Sequence, residues 1–415
     1  GLVLYEFLNP NKDQESEQKD FQAGVQPVLV QTREKDEATQ KKVFMGAVIQ
    51  MGEKKEVIPF MQPGAAMEYA LSTNIKKLAV TDKPFIGFLQ GHGEPSLSAM
   101  SQVMESMSIL YTVEPINLDE TEGDLAKYKT IAIIGPRDTI PDHHFQMLDN
   151  YLAGGGNLFI GIDRVDGNLQ TVQGNSIETM LERWLSEKGL VVENNFVVDA
   201  NCGSVGVQQR QSFFNFTTQV RFPYLPIIVN FEDHPATKGL EQVLMPFASS
   251  ITYTGDTSNY FQPIATSSEK SGTQSTPLYF DINKKWNDSD FPLSKLTVGA
   301  VLTGKLVGDA RSSIVLFSDG QFMVNGEGQG AQQLAKDNVS LMVNSVDFLS
   351  DDTGLIDLRT KGVSSRPLDQ IDDGKKTLLK WLNFLLPILL IIIYGIIRMQ
   401  QRRSLSVKRM EQGYV

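Results

Sequence analysis

Few residues in this chain have the type and spacing to do chemistry, and they are widely scattered. Gly91-His92-Gly93-Glu94 follows the apolar run at 84–90. An imidazole and a carboxylate on a glycine turn at the end of a buried strand are groups that a ligand or a metal ion would use. The same residues also have a local reading: the glycines serve a tight strand-to-helix turn, Glu94 and Pro95 favour the start of the next helix, and His92 packs beside them. His143 and His144 stand in Pro141-Asp142-His143-His144, a pattern of helix capping and surface rather than of metal ligation. Asp163 and Asp319 end two further apolar runs. If these runs are parallel strands, His92, Glu94, Asp163 and Asp319 share the sheet edge where ligands bind, although the sequence does not show that they converge. No residue set calls for a metal ion or another cofactor.

Other chemistries lack their parts. No GxxxxGK[ST] stretch is present, so ATP hydrolysis falls to another subunit. Gly154-Gly155-Gly156 precedes a strand instead of a helix and is expected to end a helix, not to cradle phosphate. Cys202 is the single cysteine, which excludes a disulfide framework and a CxxC motif. His234, in the turn-like EDHPATKG, is expected to be structural. A net charge of −11 without a basic groove argues against nucleic acid.

These residues need elements to hold them. With 415 residues, 41% hydrophobic and 21% charged, the chain suits about two or three folded domains. Residues 26–32 and 43–51 have strand composition, and a polar turn at 52–55 leads to a short strand at 56–60, so a hairpin is expected in a partial N-terminal α/β domain over 1–82. Met67, Leu71, Ile75 and Leu78 recur at helical spacing, with Lys76 and Lys77 in the last turn. From residue 83 the pattern becomes strand, loop, helix. Strands are expected at 84–90, 111–116, 130–135, 157–163 and 191–198, with helices at 96–107, 142–153 and 176–188, the pattern of a doubly wound parallel sheet. Residues 200–310 form a β-rich insertion or sheet extension, with strands at 225–230, 248–254 and 296–303 and a polar, mobile loop at 267–275. A strand at 313–318 and a helix at 338–349 close this domain near residue 360.

Residues 381–397 carry no charge and nearly match the roughly 20 residues that cross a bilayer core. A transmembrane helix is therefore expected over 378–398, with Trp381 and Tyr394 near the interfaces, Pro387 tolerated within, and Arg398 opening a basic tail over 399–415. The Lys/Arg placement puts that tail in the cytoplasm and the bulk of the chain on the outer face, joined by a polar linker at 361–377. The chain begins at Gly1 without a signal pattern, so a further N-terminal span is expected upstream. The aromatic stretch with Phe213, Phe214, Phe216 and Tyr224 is the candidate partner contact, and ordinary core and loop packing is the alternative reading.

The order of LQGHGEP, TIAIIGPRD, LDNYLAGGGNLFIGID, IVLFSDGQF, LMVNSVDFLS and LIDLRTKG, after EVIPFMQPGAAMEYALSTNIKKL, resembles the GldG-like accessory proteins of ABC-type transporters, associated with gliding motility in Bacteroidetes. The resemblance covers essentially the whole chain. It implies a truncated amidotransferase-like, flavodoxin-like fold on a bacterial inner membrane. It also implies a partnership with a multi-span permease and a separate cytoplasmic ATPase, and no reaction of the chain's own. An active amidotransferase-like protein would need a cysteine on a sharp strand-to-helix turn. Here Gly161-Ile162-Asp163-Arg164 has none, and Cys202 lacks GxCxG spacing.

Overall fold

Strands buried on both faces appear in a sequence as continuous apolar runs, and such runs build the centre of this protein. The computed structural model describes residues 4–12, 14–34, 37–61, 83–120, 125–211, 214–350, 373–411 and 413, with single positions between 62 and 82. Its largest sheet has eight strands, and only these are numbered: β1 (Phe85–Gln90), β2 (Thr112–Asn117), β3 (Tyr128–Ile134), β4 (Asn157–Gly161), β5 (Asn230–Phe231), β6 (Tyr260–Thr266), β7 (Thr297–Gly304) and β8 (Ser312–Phe317). They lie in the order β5-β6-β7-β8-β4-β3-β1-β2. The five from β8 to β2 run parallel. The rest of the sheet, β8-β7-β6-β5, is antiparallel.

Side chains alternate between two cores, as a two-residue period requires. Phe88, Ala132, Phe159 and Val315 join one core with Val103 of α1 (Ser101–Met107) and Leu341 of α4 (Lys336–Ser350). Ile131, Leu158, Ile160 and Leu316 join the other with Leu148 of α2 (Asp142–Ala153) and Trp184 of α3 (Leu181–Glu187). Helices therefore cover both faces. Gly155, at φ +87°, turns the chain out of α2, and its N–H donates to the Leu152 carbonyl.

Several expected elements differ. The expected strand over 43–51 is broken, because Gly46 passes so close to Val25, Ile58 and Pro59 that a Cβ would lie 2.6–2.8 Å from their atoms. Pro27–Glu34 instead pairs with Glu37–Phe44, and Ala47–Met51 forms the expected hairpin with Lys54–Ile58. Met67, Leu71, Ile75 and Leu78 are helical, while Lys76 and Lys77 fall outside the described residues. The helix expected at 176–188 shrinks to α3, and a hairpin of Val165–Asn168 with Gln173–Ser176 precedes it.

The expected parallel strand at 191–198 is two short strands outside the central sheet. Leu190–Val192 pairs antiparallel with Ile251–Tyr253, and Asn195–Asp199 with Ser271–Ser275. Leu190 and Val192 join one of the two sheet cores without joining the sheet, whereas Phe196 and Val198 lie in a third core, Phe196 packing with Phe222, Tyr224 and Phe280. The polar stretch 267–275 is no loose loop: Ser267 and Ser271 are fully buried, with their hydroxyls 2.8 Å apart. Between 200 and 310 the chain makes a long hairpin, Cys202–Gln211 with Phe214–Ile228, and supplies β5, β6 and β7 as a sheet extension.

A second compact unit begins at Ser365, and within it α5 (Asp373–Glu411) is a continuous helix of 39 residues, about 58 Å long at ~1.5 Å per residue. Its stretch Thr377–Met410 is long and apolar enough to cross a membrane. Trp381 and Tyr394 are exposed on it, Pro387 lies inside it, and Arg398 donates to the Tyr394 hydroxyl at 3.3 Å. The helix takes in the end of the expected linker and most of the expected tail, because lysine, arginine, glutamine and leucine all favour helix. Residues 361–372 of that linker lie outside the described residues.

Candidate functional site

The loops leaving the C-terminal ends of the parallel strands all lie along one sheet edge, and the sheet changes its direction of winding between β1 and β3. After β1, Gly91 at φ +116° and Gly93 at φ +79° bend the chain so that the His92 carbonyl accepts the backbone N–H groups of Arg137 at 2.9 Å and Asp138 at 2.8 Å. This pins His92 to the loop after β3. Glu94 folds back, its Oε2 accepting the His92 backbone N–H at 2.6 Å and its Oε1 lying 3.1 Å from His92 Nδ1.

The far side of the His92 ring meets another imidazole. His92 Nε2 lies 2.8 Å from His144 Nδ1, and His144 Nε2 lies 3.0 Å from Asp119 Oδ1, just beyond β2. His143 Nε2 is 3.6 Å from the same oxygen. His92 and His144 are buried, whereas His143 and Asp119 are exposed. His144 is therefore not the surface residue the sequence led one to expect, because the first turn of α2 presses it against the loop after β1. Burial lowers the His144 pKa.

Asp163 and Asp319 form a second group. Asp163 Oδ1 accepts the Gly320 N–H at 2.6 Å, and its Oδ2 accepts Gln321 Nε2 at 2.7 Å and the Arg137 guanidinium at 2.9 Å. Asp319 is fully buried, with Oδ1 accepting the Gln321 N–H at 2.7 Å and Oδ2 without a hydrogen-bond partner among the described residues. Burial pushes the Asp319 carboxyl well above its usual range, and the neighbouring Asp163 charge pushes it further. Asp163 is also raised by burial, against the pull of Arg137. Gly320 stands so close that a Cβ on it would be 2.7 Å from Gly135 Cα. These two loops press together with no room between them.

The four residues expected to line a crevice thus fall in two pairs along the expected edge, linked through Arg137. His92 pairs with Glu94, and Asp163 with Asp319 by way of the 320–321 backbone. His92, Asp163 and Asp319 are buried, the Glu94 side chain is 1% exposed, and their polar atoms mostly bind neighbouring protein groups. Arg137, Gln321, Asp119 and the inward turn of His144 had no part in the sequence reading. The nearest signal to them was the adjacency of two histidines at the start of a helix.

Other singled-out residues have structural surroundings. Tyr224, expected at a partner contact, is buried between Phe222 and Phe280, ring centroids 5.0 and 4.8 Å away, so its role is core packing. Phe213 lies outside the described residues, as do the side chains of Phe214 and Phe216. Burial pushes the His234 pKa down to about 4, and its ring packs 4.5 Å from Phe348. Burial raises the half-buried Cys202 thiol.

Residues 83–351, which carry this whole sheet edge, match the family described as an ABC-type uncharacterized transport system. The chain belongs to that family. Membership ties this transport-system protein to an ABC transporter as an auxiliary component. Its residues 1–50 match a domain of unknown function. An uncharacterized protein of Borreliella burgdorferi is 21% identical over 417 residues, spanning 92% of this chain and 78% of its own length. Among solved structures, the mmIFT52 N-terminal domain aligns with a TM-score of 0.44 and 15% identity over 65% of this chain and 98% of that one. A ThuA-like protein from Parabacteroides merdae aligns with a TM-score of 0.33 and 14% identity over 65% and 91%.

Proposed function

We propose that this transport-system protein is a non-enzymatic accessory subunit anchored in a bacterial inner membrane, with the domain at 83–360 on the periplasmic face and a partial domain at 1–82 before it. In this reading α5 docks against a multi-span ABC permease, a separate cytoplasmic ATPase supplies the energy, and the periplasmic domain passes permease motion to an outer-face protein partner. The observation that carries it is the presence on one chain of the family's domain and a helix long and apolar enough to span a membrane. Arg398, Arg402, Arg403, Lys408 and Arg409 at the end of α5 favour a cytoplasmic C-terminus. The parallel order β2-β1-β3-β4-β8 supports a flavodoxin-like reading, whose characteristic order is 2-1-3-4-5. The motifs quoted above favour the gliding-motility branch, and Phe213, Phe214 and Phe216 remain the candidates for partner contact.

The alternative is a periplasmic ligand-binding module using His92, Glu94, Asp163 and Asp319. It is weakened by the hydrogen bonds these groups already make, which a ligand would have to displace. Purification of the full chain from its native membrane in mild detergent, followed by mass spectrometry, tests the leading reading. Stoichiometric recovery of a permease and an ATPase is expected. Recovery of the chain alone, under conditions that keep other membrane complexes intact, would overturn it.

A further inference from the structure

Three of the chain's four histidines meet at one place, where the loop after β2 faces the first turn of α2 and the turn after β1. We propose that Asp119, His143 and His144 form an open three-ligand site for a divalent transition-metal ion of the zinc class, oriented from behind by His92 and Glu94. The donor atoms of the three residues lie within 4.8 Å of one another. Both histidine Nε2 atoms converge on Asp119 Oδ1, at 3.0 and 3.6 Å. Zinc bonds of about 2.0–2.2 Å arranged tetrahedrally set neighbouring donors about 3.4 Å apart, so these two spacings need only small adjustments.

The contact chain Glu94–His92–His144–Asp119 is one hydrogen short when both of its imidazoles are neutral. It has three contacts, each between atoms that repel unless a proton or a cation lies between them. Two neutral imidazoles bring two ring protons. Glu94 accepts at both oxygens, so one proton belongs between His92 Nδ1 and Glu94. The second then lies between His144 Nδ1 and His92 Nε2, and His144 Nε2 presents a lone pair to a carboxylate oxygen 3.0 Å away. A cation completes that contact. It is also the solvent-facing end of the chain, with the Asp119 side chain 68% and His143 61% exposed and His144 1%.

This is the arrangement a metal-bound histidine adopts, its other ring nitrogen donating to a partner that fixes the tautomer. Two imidazoles and one carboxylate suit zinc, nickel or cobalt better than magnesium or calcium, which prefer all-oxygen ligands. The fourth tetrahedral position would face solvent. The remaining histidine, His234, is buried against Phe348, which leaves little competition for such an ion among the histidines.

The test uses the full chain in detergent, without a histidine tag and stripped with chelator. Isothermal titration with zinc chloride is expected to show one ion per chain, magnesium chloride no heat, and cobalt the strong visible absorption of a tetrahedral site. Asp119→Ala and His143→Ala alter exposed side chains, and each is expected to weaken zinc binding at least about tenfold. Glu94→Gln, acting through two imidazoles, is expected to weaken it by about 10–100-fold. Lack of stoichiometric zinc uptake, or uptake unchanged in both Asp119→Ala and His143→Ala, overturns the proposal. The gap is then closed by a proton, with His144 as an imidazolium.

Discussion

Two groups of ionisable side chains lie along the same sheet edge, and they handle their charge in opposite ways. Around Asp163 the loops after β3, β4 and β8 press together, the Asp163 carboxylate holds the Arg137 guanidinium, and backbone N–H groups take up most of the remaining acceptors. That group is closed on itself, and one buried oxygen of Asp319 has no hydrogen-bond partner among the described residues. Around His92 the buried end is just as well ordered, but the chain of contacts runs outward and ends on the exposed Asp119 and His143. A closed group of this kind ties strand ends together. An open one keeps its last contact available to something from solution.

Asp163→Ala has the largest effect on stability, since it leaves the Gly320 N–H and the Gln321 amide without their acceptor and takes one of two carboxylates from the Arg137 guanidinium. A loss of about 3–5 kcal/mol is expected in urea unfolding, and a loss below about 1 kcal/mol would show that the loops hold without it. Glu94→Gln removes the charge at the buried end of the histidine chain while keeping its shape. About 1–3 kcal/mol is expected from the same measurement.

Asp319→Asn should act in the opposite direction, stabilising by about 1 kcal/mol near neutral pH, because it removes a buried like charge and its unpartnered oxygen. The sign depends on pH. A carboxyl whose folded pKa is raised binds more protons folded than unfolded, so its contribution is complete below the ordinary value of 3.8 and is lost as pH rises through the folded pKa. The advantage of Asp319→Asn should therefore grow from about pH 4 upward, and thermal melts across that range measure it. The smallest effect belongs to Asp119→Asn, whose melting temperature without added metal should match that of the parent. A marked drop would mean that the outer end of the histidine chain of contacts is structural.

Much of the sheet could be read in advance because β1, β3, β4 and β8 are buried on both faces and so are nearly free of polar residues. The same logic misled at 190–199. Phe196 and Val198 are as apolar as any parallel strand, but they are buried against aromatic rings in a different core. At 271–275 polarity misled the other way, since serine hydroxyls that satisfy one another can lie fully inside. The strand-end edge carrying His92, Asp163 and Asp319 followed from the strand pattern alone. The contacts from His92 through His144 to Asp119 did not, because they join residues 52 and 25 positions apart, and only the tertiary course of the chain brings them together.

The rims of the central sheet bear on how such a protein can be held by others. At one rim β5 is only two residues long. At the other, β2 carries Pro115, which has no N–H to offer a newcomer. Extending the sheet with a strand from another molecule, a common way for exposed sheets to capture peptides, is thus poorly served on either side. The same blunting guards against edge-to-edge polymerisation, and it leaves loops and helices as the surfaces open to a partner.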